Sequence, residues 1–296
     1  MDKADLGRRS ASIERAPAKL TTRLRVVGRR ADGFHLLEAE MVALDLVDEL
    51  EFSAGDGLDV LDEIRWLRPG AEERGFVAVG SEPPGTEDMG IGPLLATDTR
   101  PNLVQLALQA VGRSAHVRLH KAIPPGAGLG GGSADAAAVL RWAGCADPEV
   151  AVGLGADVPF CLAGGRAIVG GIGEILEPLG YEKADVLLVI PRLAVSTPAV
   201  YAAWDALGGP SGDYGNDLEP AALVVEPRLA WWRNLVKDTV GERPRLAGSG
   251  GTWWIGGTPD QLAEHSRRLS AAVIAAGESA VVQLTSTVPS LGERDW

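Results

Sequence analysis

Along the first half of the chain, apolar and polar positions alternate with the period of two that marks β-strands. LRVVGRRADGFHLL, from Leu24, predicts a strand leaving through a basic turn that carries Asp32 and Gly33, and MVALDLVDELEF, from Met41, predicts another strand. Residues 67–100 break the pattern, because PGAEERG, SEPPGTEDMGIGP and TDTRPN crowd turn formers around one short strand candidate at 76–79. Pro101 as a first helical residue, with apolar spacing at Leu103, Leu106, Ala107 and Ala110, predicts a helix, and HVRLH at 116–120 a strand.

A glycine run follows. Beyond it, residues 134–143 lack Gly and Pro and consist largely of strong helix formers, so a helix is expected to start near Ser133 with the glycines at its N-terminus. Residues 166–179 read as glycine-rich strand. The pattern then changes to strand 185–190, helix 198–207, helix 223–236, strand 252–255, helix 259–276 and strand 280–284. That change places a domain boundary near Gly180, with units 1–180 and 181–296, as a length of 296 residues suggests. No repeat of solenoid period is present.

Composition narrows the function classes. Asp plus Glu outnumber Lys plus Arg by 40 to 28, a net charge of −12, which opposes non-specific adhesion to nucleic acid or acidic membrane. An anionic ligand must therefore be held by local groups. The most compact apolar run, VLLVI at 186–190, is far too short to span a bilayer. Cys145 and Cys161 show no metal-ligand spacing and no disulfide framework, which fits a reducing cytoplasm. SASIERAPAKL after Arg8 and Arg9 has no apolar core of a secretion signal, and the first dozen residues read as a loose tail.

The candidate chemistry lies in PPGAGLGGGSADAAAVL, residues 124–140. Converging N–H groups of a glycine-rich loop and a helix N-terminus make an anion site, with phosphate the natural guest. A Walker A loop fails because no Lys precedes Ser133. A dinucleotide fingerprint fits 126–131 by letters, but Pro124 and Pro125 separate it from the preceding strand, and its acid would be Asp147, in the turn-like CADPE. The third reading rests on likeness. Pro124 to Ala134 resembles the phosphate motif P-x-x-x-G-L-G-x-x-S-A of the GHMP kinases, with one glycine inserted. APAKL (16–20), GADVPF (155–160) and RLAGSGGTWW (245–254) resemble that family's other motifs, in its order. Alone, the first would be a strand entry, Asp157 in the second a helix cap and the third a turn.

Further stretches, GRRADGFHLLEAEMVALDLVDEL (28–50), GIGEILEPL (171–179), STPAVY (196–201) and NDLEP (216–220), resemble the diphosphocytidyl-methylerythritol kinase branch of the family. The resemblance implies an α+β, two-domain GHMP kinase fold: an N-terminal domain like ribosomal protein S5 domain 2 and a ferredoxin-like C-terminal domain. It implies ATP and Mg2+, with phosphates held by Pro125, Gly126, Gly128, Leu129, Gly130, Gly131, Gly132 and Ser133, and the Ser133 hydroxyl also near the metal. Asp157 is the implied base and Lys19 its partner. Phe34, His35 and Tyr201 are implied for a cytosine, since aromatic faces stack on a base at low entropic cost. Thr21, Gly248, Ser249 and Gly250 complete the implied substrate set. For Phe34 the plain alternative is core packing, for His35 a satisfied loop histidine, for Tyr201 packing on a helix face, and for Lys19 a surface position.

The implied reaction moves the γ-phosphoryl group of ATP to the 2-hydroxyl of a cytidine-diphosphate-linked sugar alcohol. The partner expected is this small molecule, with no nucleic acid and no membrane, and a homodimer stays open. Two departures keep alternatives alive: Thr21 stands where the family usually has asparagine, and the segment RWAGCADPEVAVGL before Gly155 is short. One alternative is a GHMP kinase for another small alcohol, the other a non-catalytic member that binds nucleotide or metabolite.

Overall fold

The computed structural model describes residues 12–67 and 102–290. The N-terminal tail and the strand candidate at 76–79 lie outside the described residues.

Strands β1 (Ser12–Arg29) and β2 (His35–Ser53) form one long antiparallel hairpin. Its turn is closed by the Arg30 N–H donating to the Phe34 carbonyl at 2.8 Å. Strand β3 (Gly57–Asp62) runs parallel to β4 (His116–Lys121), and the edge hairpin β5 (Arg166–Gly171) and β6 (Ile175–Leu179) lies on the far side. The sheet order is β3-β4-β2-β5-β6, with β1 paired to β2. Helix α1 (Leu103–Ala110) is capped by the Asn102 side chain, which accepts from the Val104 N–H. Pro101, expected as first helical residue, lies outside the described residues, and the helix is described from Leu103 behind the Asn102 cap. Helix α2 (Gly131–Ala143) starts inside the glycine run and buries Ala134 to Leu140 against the hairpin. Two short helices, α3 (Pro148–Leu154) and α4 (Val158–Ala163), fill the stretch before β5. Asp147 caps α3 by accepting from the Glu149 N–H at 2.9 Å, so the acid that a dinucleotide fold would need serves as a helix cap instead.

The second sheet comprises β7 (Asp185–Pro191), β8 (Arg245–Leu246), β9 (Trp253–Gly257) and β10 (Ala280–Ser286). Its order is β10-β7-β9-β8, all neighbours antiparallel, which is the ferredoxin-like arrangement. Helix α5 (Thr197–Ala206) begins at the Ser196 cap, and α8 (Pro259–Ala275) at a capping box of Thr258 and Gln261. The single helix expected over 223–236 is instead two, α6 (Glu219–Val225) and α7 (Arg228–Val240). Pro227 explains the break: it forces Glu226 out of the helical region, to φ −132° and ψ 87°.

The two units share an interior. Leu20, Leu44, Ile123 and Leu129 from the first meet Leu188 and Ile190 from the second in one buried cluster. Each such side chain contributes about 1.5–3 kcal/mol by leaving water, so the sheets are held together where the glycine loop runs.

Candidate active site

Lys19 sits in the middle of β1 between two irregularities of register, at Pro17/Lys19 and Thr21/Arg23. Bulges re-aim a strand locally. Here the Lys19 N–H donates to the Leu129 carbonyl at 2.9 Å, tying the strand to the glycine loop. The Lys19 ammonium, 6% exposed, lies 3.2 Å from Asp157 Oδ2 and donates to Thr21 Oγ1 at 3.3 Å. Asp157 occupies the N-cap position of α4, yet its side chain makes no capping bond. Its carboxylate is therefore directed to Lys19 rather than spent on the helix, and a third of the side chain stays open to solvent. Two residues 138 positions apart in sequence meet as an ion pair.

The glycine loop lies over this pair. No side chain caps α2, whose N-cap Gly130 is left-handed at φ 68°, so the first N–H groups of the helix remain for a ligand. Bareness is also required by the protein itself. A Cβ on Gly130 would fall 2.7 Å from Lys19 Cγ, and one on Gly128, at φ 77°, would fall 2.5 Å from the Gly250 carbonyl oxygen. The loop thus packs backbone to side chain on Lys19 and backbone to backbone on the third motif. Pro125 and Gly126 are exposed, Gly131, Gly132 and Ser133 begin α2, and the Leu129 side chain is buried in the shared core. The Ser133 hydroxyl makes no hydrogen bond among the described residues.

The third motif closes the other side. Gly248 lies against Thr21 and Lys19, where a Cβ would be 3.6 Å from Thr21 Oγ1 and 3.7 Å from Lys19 Nζ. Ser249 and Thr197 share a hydroxyl hydrogen bond of 2.7 Å, linking the motif to the first turn of α5. Asn216 holds it in place, its amide donating to the Leu246 carbonyl at 2.9 Å and the Gly248 carbonyl at 2.7 Å. The next residue, Asp217, accepts from the Val26 N–H of β1 at 3.1 Å. NDLEP is thus a clasp between the units, and GIGEILEPL spans the β5–β6 turn and β6, with Gly173 of the turn packed on the Ala156 backbone beside Asp157.

At the hairpin turn, Phe34 is 58% exposed and His35 is largely covered. The His35 ring stacks on Tyr201, with centroids 4.7 Å apart and 21° between planes, and meets Trp204 edge-on at 5.7 Å. Burial, reinforced by the charge of Asp157, pushes the Tyr201 phenol up. Phe34 makes no ring contact among the described residues.

Sequence reasoning did not single out three further carboxylates. Asp48, fully buried on β2, pairs with Lys121 and accepts from the Ala122 and Ile123 N–H groups at 2.6 and 2.8 Å, while Asp135 on α2 accepts from Lys121 at 2.8 Å. This cluster underpins the start of the glycine loop. Burial pushes the Asp135 carboxyl up to about 7, against the pull of Lys121 and with the help of Asp48. Asp205 on α5 bonds His35 and Arg29. An acid in an otherwise apolar stretch, such as Asp135 in SADAAAVL, was the available signal. A cavity of about 140 Å3 lies beside the loop, walled by Pro124, Pro125, Ala127, Trp66 and Arg192.

Residues 102–165 match the model of the GHMP kinases N-terminal domain. The 4-diphosphocytidyl-2-C-methyl-D-erythritol kinase of Paracoccus denitrificans is 36% identical over 258 residues, covering 81% of this chain and 84% of its own. The chain belongs to the 4-diphosphocytidyl-2-C-methyl-D-erythritol kinase family. The enzyme of that name from Ruegeria pomeroyi is 37% identical over 267 residues, with 80% of this chain and 85% of its own covered. A crystal structure of 4-(cytidine 5'-diphospho)-2C-methyl-D-erythritol kinase superposes with a TM-score of 0.64 at 28% identity, over 93% of this chain and 99% of that one. A mevalonate kinase structure, 12% identical with a TM-score of 0.53 over 94% of this chain and 99% of its own, shares the fold. The two-domain α+β expectation agrees with these likenesses, and the kinase family is the one that the motifs implied.

Proposed function

We propose that this protein transfers the γ-phosphoryl group of ATP to the 2-hydroxyl of 4-diphosphocytidyl-2-C-methyl-D-erythritol, a step toward isoprenoid precursors by the non-mevalonate route. The observation that carries the reading is the buried Lys19–Asp157 pair, 3.2 Å apart, beneath an uncapped helix N-terminus. Phosphoryl transfer depends mainly on positioning and on charge neutralisation, and this arrangement offers both.

In this reading the N–H groups of Gly131, Gly132 and Ser133, with the left-handed turns at Gly128 and Gly130, hold the ATP phosphates. The adjoining cavity, with the Trp66 face and apolar walls, suits the nucleotide base. Asp157 accepts the proton of the attacking hydroxyl at a carboxylate oxygen. Lys19, 3.2 Å away, offsets the charge that builds up there and orients the hydroxyl. Thr21 accepts from the ammonium, so the hydroxyl that replaces the usual asparagine supports the lysine directly. Magnesium, bound with ATP, would offset charge on the transferring group. Mg2+ needs few protein oxygens beside phosphates and water, and the unpartnered Ser133 hydroxyl, which faces Gly155 two residues before Asp157, fits such a donor. The cytidine end of the acceptor extends past Tyr201 toward His35 and Phe34, while Gly248, Ser249 and Gly250 close over it. A cytoplasmic enzyme agrees with the two free cysteines.

A coupled assay with ATP, Mg2+ and the diphosphocytidyl acceptor, run beside Asp157→Ala, tests the reading. Turnover is expected for the natural chain and not for the variant. A folded chain that binds ATP but leaves this acceptor untouched, or that phosphorylates another small alcohol faster, would overturn it.

A further inference from the structure

His35 is gripped by one face of a helix from the other unit. Tyr201, Trp204 and Asp205 lie at i, i+3 and i+4 on α5, the spacing that aligns side chains along one helix face. Tyr201 covers the flat of the ring, Trp204 its edge, and Asp205 Oδ1 lies 2.8 Å from Nε2. The second Asp205 oxygen is 3.3 Å from Arg29, which also donates to the Gly33 carbonyl of the turn at 3.2 Å. Arg29 from β1 and Asp205 from α5 thus bond the turn and the ring, while within the turn Asp32 pairs with Arg30 at 2.7 Å and accepts from the Phe34 N–H at 3.3 Å.

The geometry points to Asp205 as the positioning residue that sets the choice of pyrimidine base through the tautomer of His35. This rests on the proposed cytidine acceptor. The hydrogen bond from His35, with a smaller part from the Arg29 charge, holds Asp205 below the usual carboxylate range, so it is ionised and only accepts. The proton must then sit on Nε2 of His35. In the neutral ring, Nδ1 is left as an acceptor with a fixed direction. Cytosine presents an amino donor at position 4, where uracil presents a carbonyl oxygen. An acceptor held in place bonds the first and opposes the second. Without the carboxylate, the proton is free to move to Nδ1 and welcome uracil as readily.

The test is titration of CDP and UDP into the full chain, its Asp205→Asn and Asp205→Ala variants, each checked for an intact thermal transition. The natural chain is expected to prefer CDP. In both variants the CDP-over-UDP ratio should fall on the order of 10-fold, the scale of one buried polar group left unmatched. Asn keeps the size of Asp but offers a donor as well as an acceptor, so it separates tautomer control from shape. If Asn keeps the ratio, whether or not Ala loses it, the tautomer account is wrong. If the natural chain shows no preference for CDP, the cytidine reading itself fails, and this inference with it.

Discussion

Lys19 Nζ and Asp157 Oδ2 lie 3.2 Å apart at the meeting of a bulged strand and the uncapped-side-chain start of a short helix. The lysine is buried and the acid is partly open, so the acid is the member that an acceptor hydroxyl can reach. Removing its proton-accepting ability by Asp157→Asn should lower kcat by about 100- to 10,000-fold, the range of general-base contributions. KM for ATP should move far less. Steady-state kinetics at saturating ATP decides the matter, and a loss smaller than 10-fold would remove Asp157 from the role of base.

Gly128 offers a test of the packed loops. Gly128→Ala would add a methyl 2.5 Å from the Gly250 carbonyl oxygen at a φ of +77°, whereas Gly144→Ala, at φ +69°, meets nothing within 4 Å. Both carry the left-handed cost of roughly 1–2 kcal/mol. Only the first should also separate the glycine loop from the third motif, giving the larger fall in Tm and loss of stabilisation by ATP with Mg2+. Thermal shift with and without nucleotide reads both effects, and equal behaviour of the two variants would contradict the interlock.

Asn216 holds two carbonyls of the third motif through one amide, and its oxygen accepts from the Leu218 N–H at 3.0 Å. Asn216→Asp preserves the acceptor and replaces the donor with a second acceptor facing both carbonyls. Each buried carbonyl left without a donor costs about 1–3 kcal/mol, so chemical denaturation should show a clear loss of stability and KM for the acceptor should rise. An unchanged midpoint would mean that the clasp is not needed.

Asp135 predicts a pH effect on stability. Its carboxyl titrates near 7 when folded and near 3.8 when free. Between those values the folded chain binds a proton that the unfolded chain has released, so this group's contribution to stability falls as pH rises through the interval and levels off above it. Asp135→Asn should flatten that part of the stability profile. Denaturant midpoints measured from pH 4 to 8 for both chains would show it, and parallel profiles would refute it.

Much of the architecture was legible because local rules agree with the fold. Alternation marked the long hairpin, apolar spacing marked α8 over 259–276, and the glycines announced a helix N-terminus. The break at Pro227 was written in the sequence too, but the apolar spacing on both sides masked it. The Lys19–Asp157 pairing came only from likeness, since nothing local relates a strand residue to a helix start 138 positions away. The Asp48, Lys121 and Asp135 cluster was not legible for the same reason: it forms from three elements, and although Asp135 stands out in SADAAAVL, nothing local names its partners. His35 was found, but its hold by Asp205 depends on where α5 lands.

The meeting of Gly128 with the Gly250 carbonyl, and of Gly251 with the backbone of Ala127, is a seam made of main chain rather than of matched side chains. Glycine at these positions is therefore set by the opposite unit's backbone rather than by the local turn alone, while the apolar cluster of Leu20, Leu44, Ile123, Leu129, Leu188 and Ile190 fixes the same contact through side chains. A change in either unit that shifts this contact would move the phosphate loop and the Tyr201, Trp204 and Asp205 face of α5 relative to each other.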